Sequence, residues 1–147
     1  MLTFHIISLF PEALEPYLKS SIIGRARKQK KIGVRFYNPR DFVARKNQTG
    51  YQQTDAKPYG GGPGMVLLAL PLLRAIERAK RKAKNAKRKI KAVFFSPSGK
   101  LFSNQLAIKW AKGGRDLILI CGHYEGVDER VRQITKAESI SVGPYVL

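Results

Sequence analysis

Apolar and polar positions along the chain fall into alternating blocks, and the blocks predict the elements. Leu117-Ile118-Leu119-Ile120 is an unbroken apolar run, the pattern of a strand covered on both faces. It breaks at Gly122, passes through a short polar turn to Gly126 and re-enters regular structure at Asp128-Glu129-Arg130. Leu2 to Leu9 predicts a similar first strand, stopped by Phe10-Pro11. Pro11 suits a first helical turn and Glu12 complements its dipole, so a short helix is expected to Lys19. Ser20-Ser21 are expected to cap a second helix from Ile22 to about Lys30. Ile32 to Tyr37 alternates as a second strand and ends at the turn pair Asn38-Pro39. Pro71 opens a helix whose apolar positions Leu72, Ile76, Ala79, Ala83, Ala86 and Ile90 step by four and three, one inward stripe. Lys91 to Phe95 predicts a third strand that meets Ser96-Pro97-Ser98-Gly99. Ser103 caps a helix to Lys112, which Gly113-Gly114 end, and Asp128 caps another to Thr135. Ala137 to Ser141 begins a last strand, expected to run past Gly143-Pro144 to Leu147. Strand and helix alternate, which predicts an α/β fold with a mainly parallel sheet and helices on both faces. At 147 residues, one domain with a real core is the expectation.

From Arg40 to Gly64 the periodicity disappears. A loop of that length in a small domain is commonly functional or disordered. Arg40, Arg45, Lys46 and Lys57 alternate there with Tyr51 and Tyr59, the mixture of cations and stacking faces that unpaired RNA bases take. A solvated surface loop answers to the same pattern. Tyr59-Gly60-Gly61-Gly62-Pro63-Gly64-Met65 closes it with a backbone able to approach an anion or a base. It is neither a dinucleotide fingerprint, since no strand leads into it, nor a P-loop, since no Gly-Lys-Ser/Thr follows. A tight structural turn fits it as well as a site does.

Charge sharpens the picture. The formal net charge is +18, a balance that implies polyanionic partners or anionic surfaces. Residues 1–114 carry 24 of the 28 Lys and Arg with five of the ten acids, a net +19, and the last 33 residues carry −1. The polar side of the helix from Pro71 concentrates Arg74, Arg78, Lys80, Arg81, Lys82, Lys84, Lys87, Arg88 and Lys89, with Glu77 alone interleaved. Phosphate contact is the functional reading of that side; an ordinary solvated face, or a Lys-rich host, is the plainer one. The single Cys121 excludes a disulfide framework within the chain and points to a reducing compartment. No apolar run approaches a membrane span, and Met1 to His5 lacks the charged start of a signal peptide, so a cytoplasmic protein without a membrane role is expected.

The chain's strand tips are its chemical candidates. In open α/β sheets ligands sit where strand ends leave backbone groups free. Three such tips, after Phe95, after Cys121 and from Ser139 onward, are expected to form one small-molecule site. The basic first two-thirds would then bring in a nucleic acid.

Six segments carry a resemblance to a known family. They are Ile6-Ile7-Ser8-Leu9-Phe10-Pro11, Asn38-Pro39-Arg40-Asp41-Phe42, Pro58-Tyr59-Gly60-Gly61-Gly62-Pro63-Gly64-Met65, Ser96-Pro97-Ser98-Gly99, Cys121 through Arg130, and Val142-Gly143-Pro144-Tyr145-Val146-Leu147. In order and near spacing, the sequence is similar to the bacterial tRNA (guanine-N1)-methyltransferases of the knotted SPOUT class. That resemblance implies a trefoil-knot α/β domain followed by a small helical domain, working as a homodimer in the cytoplasm. It implies transfer of the methyl of S-adenosyl-L-methionine to N1 of guanosine 37 of tRNA.

Cofactor contacts are implied at Phe95, Ser96 and Pro97, at Gly122, Tyr124, Glu125 and Gly126, and at Val142, Gly143, Pro144, Tyr145, Val146 and Leu147. Tyr59, Gly60, Gly61, Gly62 and Gly64 would lie near the target guanine, beside the RNA-contact candidates Arg40, Arg45, Lys46 and Lys57. The donor is already activated as a sulfonium, so the protein's work is alignment rather than nucleophilic attack. Glu125 can stand by the cationic donor as a supporting catalytic group or help hold a metal such as Mg2+; a surface carboxylate flanking a helix is the other reading. Guanine N1 must lose a proton, and the Asp to which the family assigns that step, with a neighbouring Arg, belongs to the pattern beyond Leu147.

The resemblance therefore reads residues 1–147 as the amino-terminal, S-adenosylmethionine-binding domain. By that resemblance the rest of the knot region and the helical domain are expected beyond Leu147, and these residues are not expected to turn over alone. Pro144 stands where the family has Asp, and Ala56-Lys57 where Asp-Arg is common. A catalytically dead RNA-binding module, or a knotted methyltransferase acting on rRNA, are the alternative readings.

Overall fold

The computed structural model describes residues 1–43 and 52–145. Its strands and helices run β1 (Leu2–Ile7), α1 (Pro11–Lys19), α2 (Ser21–Lys28), β2 (Ile32–Tyr37), β3 (Asp55–Ala56), β4 (Val66–Leu67), α3 (Ala69–Asn85), β5 (Lys89–Leu101), α4 (Asn104–Lys112), β6 (Arg115–Ile120), α5 (Glu129–Thr135) and β7 (Glu138–Ser141). A 3-10 turn at Pro39–Phe42 follows β2. Five strands make one sheet in the order β2-β1-β6-β5-β7, every neighbouring pair parallel. A short antiparallel ribbon, β3 with β4, stands apart from it.

The apolar runs become the strands because both faces of the sheet are covered. Ile7, Ile118 and Ile120 point to one face and pack on Leu72, Ala75, Ile76 and Ala79 of α3 and Val131 of α5. Val93 and Ile140 point to the other and meet Leu106 of α4, with Phe95, Trp110 and Leu119 around them. The α3 stripe is inward as its spacing predicts at Leu72, Ile76, Ala79 and Ala83, while Ala86 falls on the helix cap and is exposed.

Several boundaries differ from the sequence expectation, each for a local reason. β1 stops at Ile7, not Leu9: the Ser8 amide makes a last ladder bond to the Tyr37 carbonyl (3.2 Å), and Ser8 Oγ then turns the chain by accepting the Phe10 amide (3.2 Å). Ser20 is not a side-chain cap of α2: its hydroxyl donates backward to the Tyr17 carbonyl at 2.7 Å. α3 begins at Ala69, two residues before Pro71, a position that still lacks an intrahelical partner for its amide. β5 does not end at Phe95: Phe95 and Lys100 both face Ile140, so Ser96 to Gly99 bulge outward and the strand resumes to Leu101. β7 ends at Ser141 rather than continuing, because Ser141 Oγ donates to the Gly143 carbonyl (2.7 Å) and accepts its amide (3.2 Å).

A polar cluster is buried under the start of β6. Asp116 Oδ1 accepts the Thr3 amide (3.1 Å) and Arg88 Nε (3.2 Å), and His5 Nε2 lies 3.8 Å from its Oδ2. His5 Nδ1 shares a hydrogen bond with the Tyr37 hydroxyl at 2.9 Å. Burial holds the His5 pKa below its usual 6.5, the loss of hydration outweighing the attraction of Asp116. The unfolded chain therefore takes up, below pH 6.5, a proton that the folded chain refuses. The stability contributed by neutral His5 is present above that pH and declines beneath it. Urea unfolding on either side of pH 6.5 should show this loss, and His5→Gln should reduce it. Ile118 is fully buried, and Ile118→Ala should lower unfolding stability by about 2–5 kcal/mol in the same assay.

Candidate active site

All five strands being parallel, their carboxyl ends share one edge, and β6, β5 and β7 are consecutive there. Phe94 pairs with Ile120 and Phe95 with Ile140, so the end of β6, the β5 bulge at Ser96 to Gly99 and the end of β7 lie side by side; β5 itself has no tip after Phe95, since it runs on to Leu101. That edge carries the segments expected to form one site: Phe95, Ser96 and Pro97; Gly122, Tyr124, Glu125 and Gly126; and Val142, Gly143, Pro144 and Tyr145. Tyr124, Val142 and Tyr145 are exposed there, and Tyr145 folds back so that its hydroxyl donates to the Val142 carbonyl at 3.2 Å. Gly99 closes the β5 bulge directly against β7; a Cβ at this position would lie 2.6 Å from the Ile140 nitrogen. Val146 and Leu147 lie outside the described residues, as do Arg45, Lys46 and Tyr51.

Past Ile120 the backbone keeps one more bond to the sheet, the Cys121 amide to the Ile7 carbonyl at 3.0 Å. Burial pushes the Cys121 thiol up to about 11, so it is no nucleophile. His123 packs edge-on against Phe10 and Tyr124, at 5.0 and 4.5 Å between ring centres. Tyr124 (φ +60°) and Gly126 (φ +144°) then turn the chain away from the sheet.

What captures the turn is β4. The Glu125 amide donates to the Met65 carbonyl (3.1 Å), the Leu67 amide to the Gly126 carbonyl (3.0 Å) and the Asp128 amide to the Leu67 carbonyl (3.0 Å). These bonds seat the glycine-rich segment against the β6 loop. Gly64 (φ +90°) touches the Glu125 side chain: a Cβ there would fall 2.8 Å from Oε1. The guanine-side and donor-side candidates thus meet at Gly64 and Glu125. Gly60, Gly61 and Gly62 stand in open space, and Tyr59 is 89% exposed.

Arg130 is the residue that sequence reading passed over. Asp128 caps α5 as expected, accepting the Arg130 amide at 3.0 Å, and its carboxylate also holds the Arg130 guanidinium through Nε (3.0 and 3.1 Å) and Nη2 (2.6 Å). Nη2 reaches on to the Tyr59 hydroxyl at 2.8 Å, and the guanidinium lies 5.6 Å from the centre of that ring. The Arg130 hydrogen bonds hold Asp128 below the usual carboxylate range, which keeps it ionised and makes it a weaker base. The Asp-x-Arg spacing at the helix start was the available signal; Tyr59, 71 positions away, gave none.

Arg40 is half committed elsewhere: its Nη1 donates to the Leu9 carbonyl at 2.9 Å and its guanidinium stacks 5.1 Å from the Phe10 ring. Lys57 is exposed. Two clefts, of about 600 and 440 Å³, flank Tyr59 and Arg130, the larger also walled by Leu70, Leu73, Arg74 and Ile134. Both open beside the glycine-rich segment rather than at the strand tips. Among the described residues no three His, Cys, Asp or Glu side chains gather to hold a metal ion, and nothing there supports the metal-holding option for Glu125. Among them, too, no helix is long and apolar enough to cross a membrane.

The family described as tRNA (Guanine-1)-methyltransferase TrmD matches residues 2–147. The chain belongs to that family. A tRNA (guanine-N(1)-)-methyltransferase of Pseudoalteromonas atlantica is 42% identical over 144 residues, which are 98% of this chain and 51% of that protein. One from Actinobacillus pleuropneumoniae is 43% identical over 97% of this chain and 55% of its own length. The chain thus spans about half the length of these TrmD relatives. The crystal structure of the tRNA (m1G37) methyltransferase from Aquifex aeolicus superposes with a TM-score of 0.77 at 32% identity, covering 99% of this chain and 62% of that one. The α/β fold with a parallel sheet is the one this TrmD structure has.

Arg130→Ala should free the Tyr59 segment without unfolding the chain. Amide hydrogen exchange across residues 58–66 should accelerate by at least about tenfold, while Arg132→Ala, which breaks only the exposed pair with Glu129, should leave it unchanged.

Proposed function

We propose that these residues form the donor-binding, amino-terminal domain of a cytoplasmic tRNA methyltransferase. Its reaction transfers the methyl of S-adenosyl-L-methionine to N1 of guanosine 37. Membership of the TrmD family supports this reading, and one geometric observation carries it: the ends of β6 and β7 flank the β5 bulge on one sheet edge. In such sheets a ligand binds at the carboxyl ends, where backbone amides and carbonyls are not used by the ladder.

The residues fit the donor. Gly99, Gly122 and Gly126 keep side chains out of that edge, and exposed Tyr124, Val142 and Tyr145 offer apolar area to a nucleoside. Bound there, the donor supplies a methyl group on a positively charged sulfur. Ser96 and the free backbone beside Phe95 and Gly122 would orient the adenosine. Glu125, an acid in an otherwise uncharged rim, would complement the positive charge. Its contact with Gly64 would hold the glycine-rich segment where a guanine can approach. Asp128 is bound to Arg130, so we assign the proton on guanine N1 to a base in the half of the family's length beyond these residues. We also place the closure of the family's trefoil knot and its homodimer contacts with that half.

Titration calorimetry with S-adenosylmethionine tests the proposal. We expect micromolar binding, weakened at least about tenfold (about 1.4 kcal/mol) by Gly99→Ala, whose methyl would push β7 from β5. No heat at high micromolar donor would leave only the RNA-binding module.

A further inference from the structure

We propose that the outer face of α3 is a phosphate track that holds an arm of the RNA alongside the domain; the inference rests on the tRNA reading above. Arg74, Arg78, Arg81 and Lys84 step along this face by four, three and three, and all are exposed. From Arg74 to Lys84 the rise is about 15 Å at 1.5 Å per residue. Beyond the helix cap Lys87 and Lys89 extend the run. At the other end Leu70 and Arg74 wall the cleft that Tyr59 and Arg130 also border. The track therefore starts at the candidate site and leads away from it.

Arg74 donates through Nη1 to the Phe42 carbonyl at 3.1 Å, and most of the other cations are unspent. Among the described residues the ion pairs that reach this segment are Lys80 with Glu77 (3.1 Å) and Arg88 with Asp116 (3.2 Å). Arg78, Arg81, Lys82, Lys84, Lys87 and Lys89 pair with no acid there. Like charges three and four apart destabilise a helix. The helix dipole offsets this for Lys82 and Lys84 in the last turn, not for Arg74 or Arg78 farther back. A polyanion laid along the face relieves the whole set.

A lipid surface is the other anionic partner, and the packing argues against it. Membrane-seeking helices carry an exposed apolar side to insert, whereas the apolar side of α3 (Leu72, Ala75, Ile76, Ala79, Ala83) is buried against the sheet. Four arginines and lysines on one line suit phosphates spaced along a backbone.

The test is the binding of an unmodified tRNA transcript followed by anisotropy across a salt series. Arg78→Gln/Arg81→Gln/Lys84→Gln should weaken binding at least about tenfold at low salt and reduce the slope of log K against log salt by roughly two to three. Arg25→Gln/Lys28→Gln/Lys31→Gln removes the same charge from exposed positions in and just after α2 and should change the slope by less than about one. An unchanged slope in the first variant, an equal loss in the second, or binding of phosphatidylserine vesicles with none of tRNA would overturn the track. Donor calorimetry separates the two proposals: a chain that takes no S-adenosylmethionine yet binds tRNA through α3 sinks the methyltransferase reading and leaves the track standing.

Discussion

Three backbone hydrogen bonds between β4 and the loop after β6 decide how this domain is arranged. β6 is flanked by β1 and β5, so its own amides and carbonyls are taken until Cys121. Beyond that point nothing in the sheet directs the chain. The Glu125, Leu67 and Asp128 amides supply the direction by joining the loop to Met65, Gly126 and Leu67. Each such bond contributes roughly 0.5–1.5 kcal/mol. Together they bring a segment some 60 residues earlier in sequence against the strand tips. Remove them, and the glycine-rich segment has no reason to meet Glu125.

Much of the sheet was legible because parallel, doubly covered strands write themselves as apolar runs. β2 appears with the bounds its alternation predicts, closed by Asn38-Pro39, and the Ser103 and Asp128 caps hold as read. The misreadings share a cause. Pro97 and Gly99 look like breakers, yet β5 continues past them because Ile140 on β7 accepts two partners. β3 and β4 are two residues each and carry no period; they are strands because Asp55 pairs with Leu67 and Ala56 with Val66. Ser20 reads as a cap, but its hydroxyl donates to the Tyr17 carbonyl and holds no amide of α2. Local pattern sets what a segment prefers, and a distant partner settles where it stops.

The candidate site divides the same way. That the segments after Ile120, after Phe95 and after Ser139 would lie together followed from the topology of parallel strands, and the ends of β6 and β7 do flank the β5 bulge on one edge. That Tyr59 would be tied to Arg130 followed from nothing in the sequence, since an exposed aromatic and an exposed arginine pair only after the loop is seated. Charge is handled in two different ways. Asp116 is buried and answered by an amide and a guanidinium, a fixed structural group, while the α3 cations are left to solvent and whatever comes to them.

Cys121 gives the domain an internal witness. It is the only thiol, its amide is tied to β1, and its proton is held to about pH 11. A folded copy should therefore react slowly with alkylating reagents that attack thiolates, and faster once β1 and β6 part. The central seam of the sheet carries a built-in clock for its own opening, readable without any label.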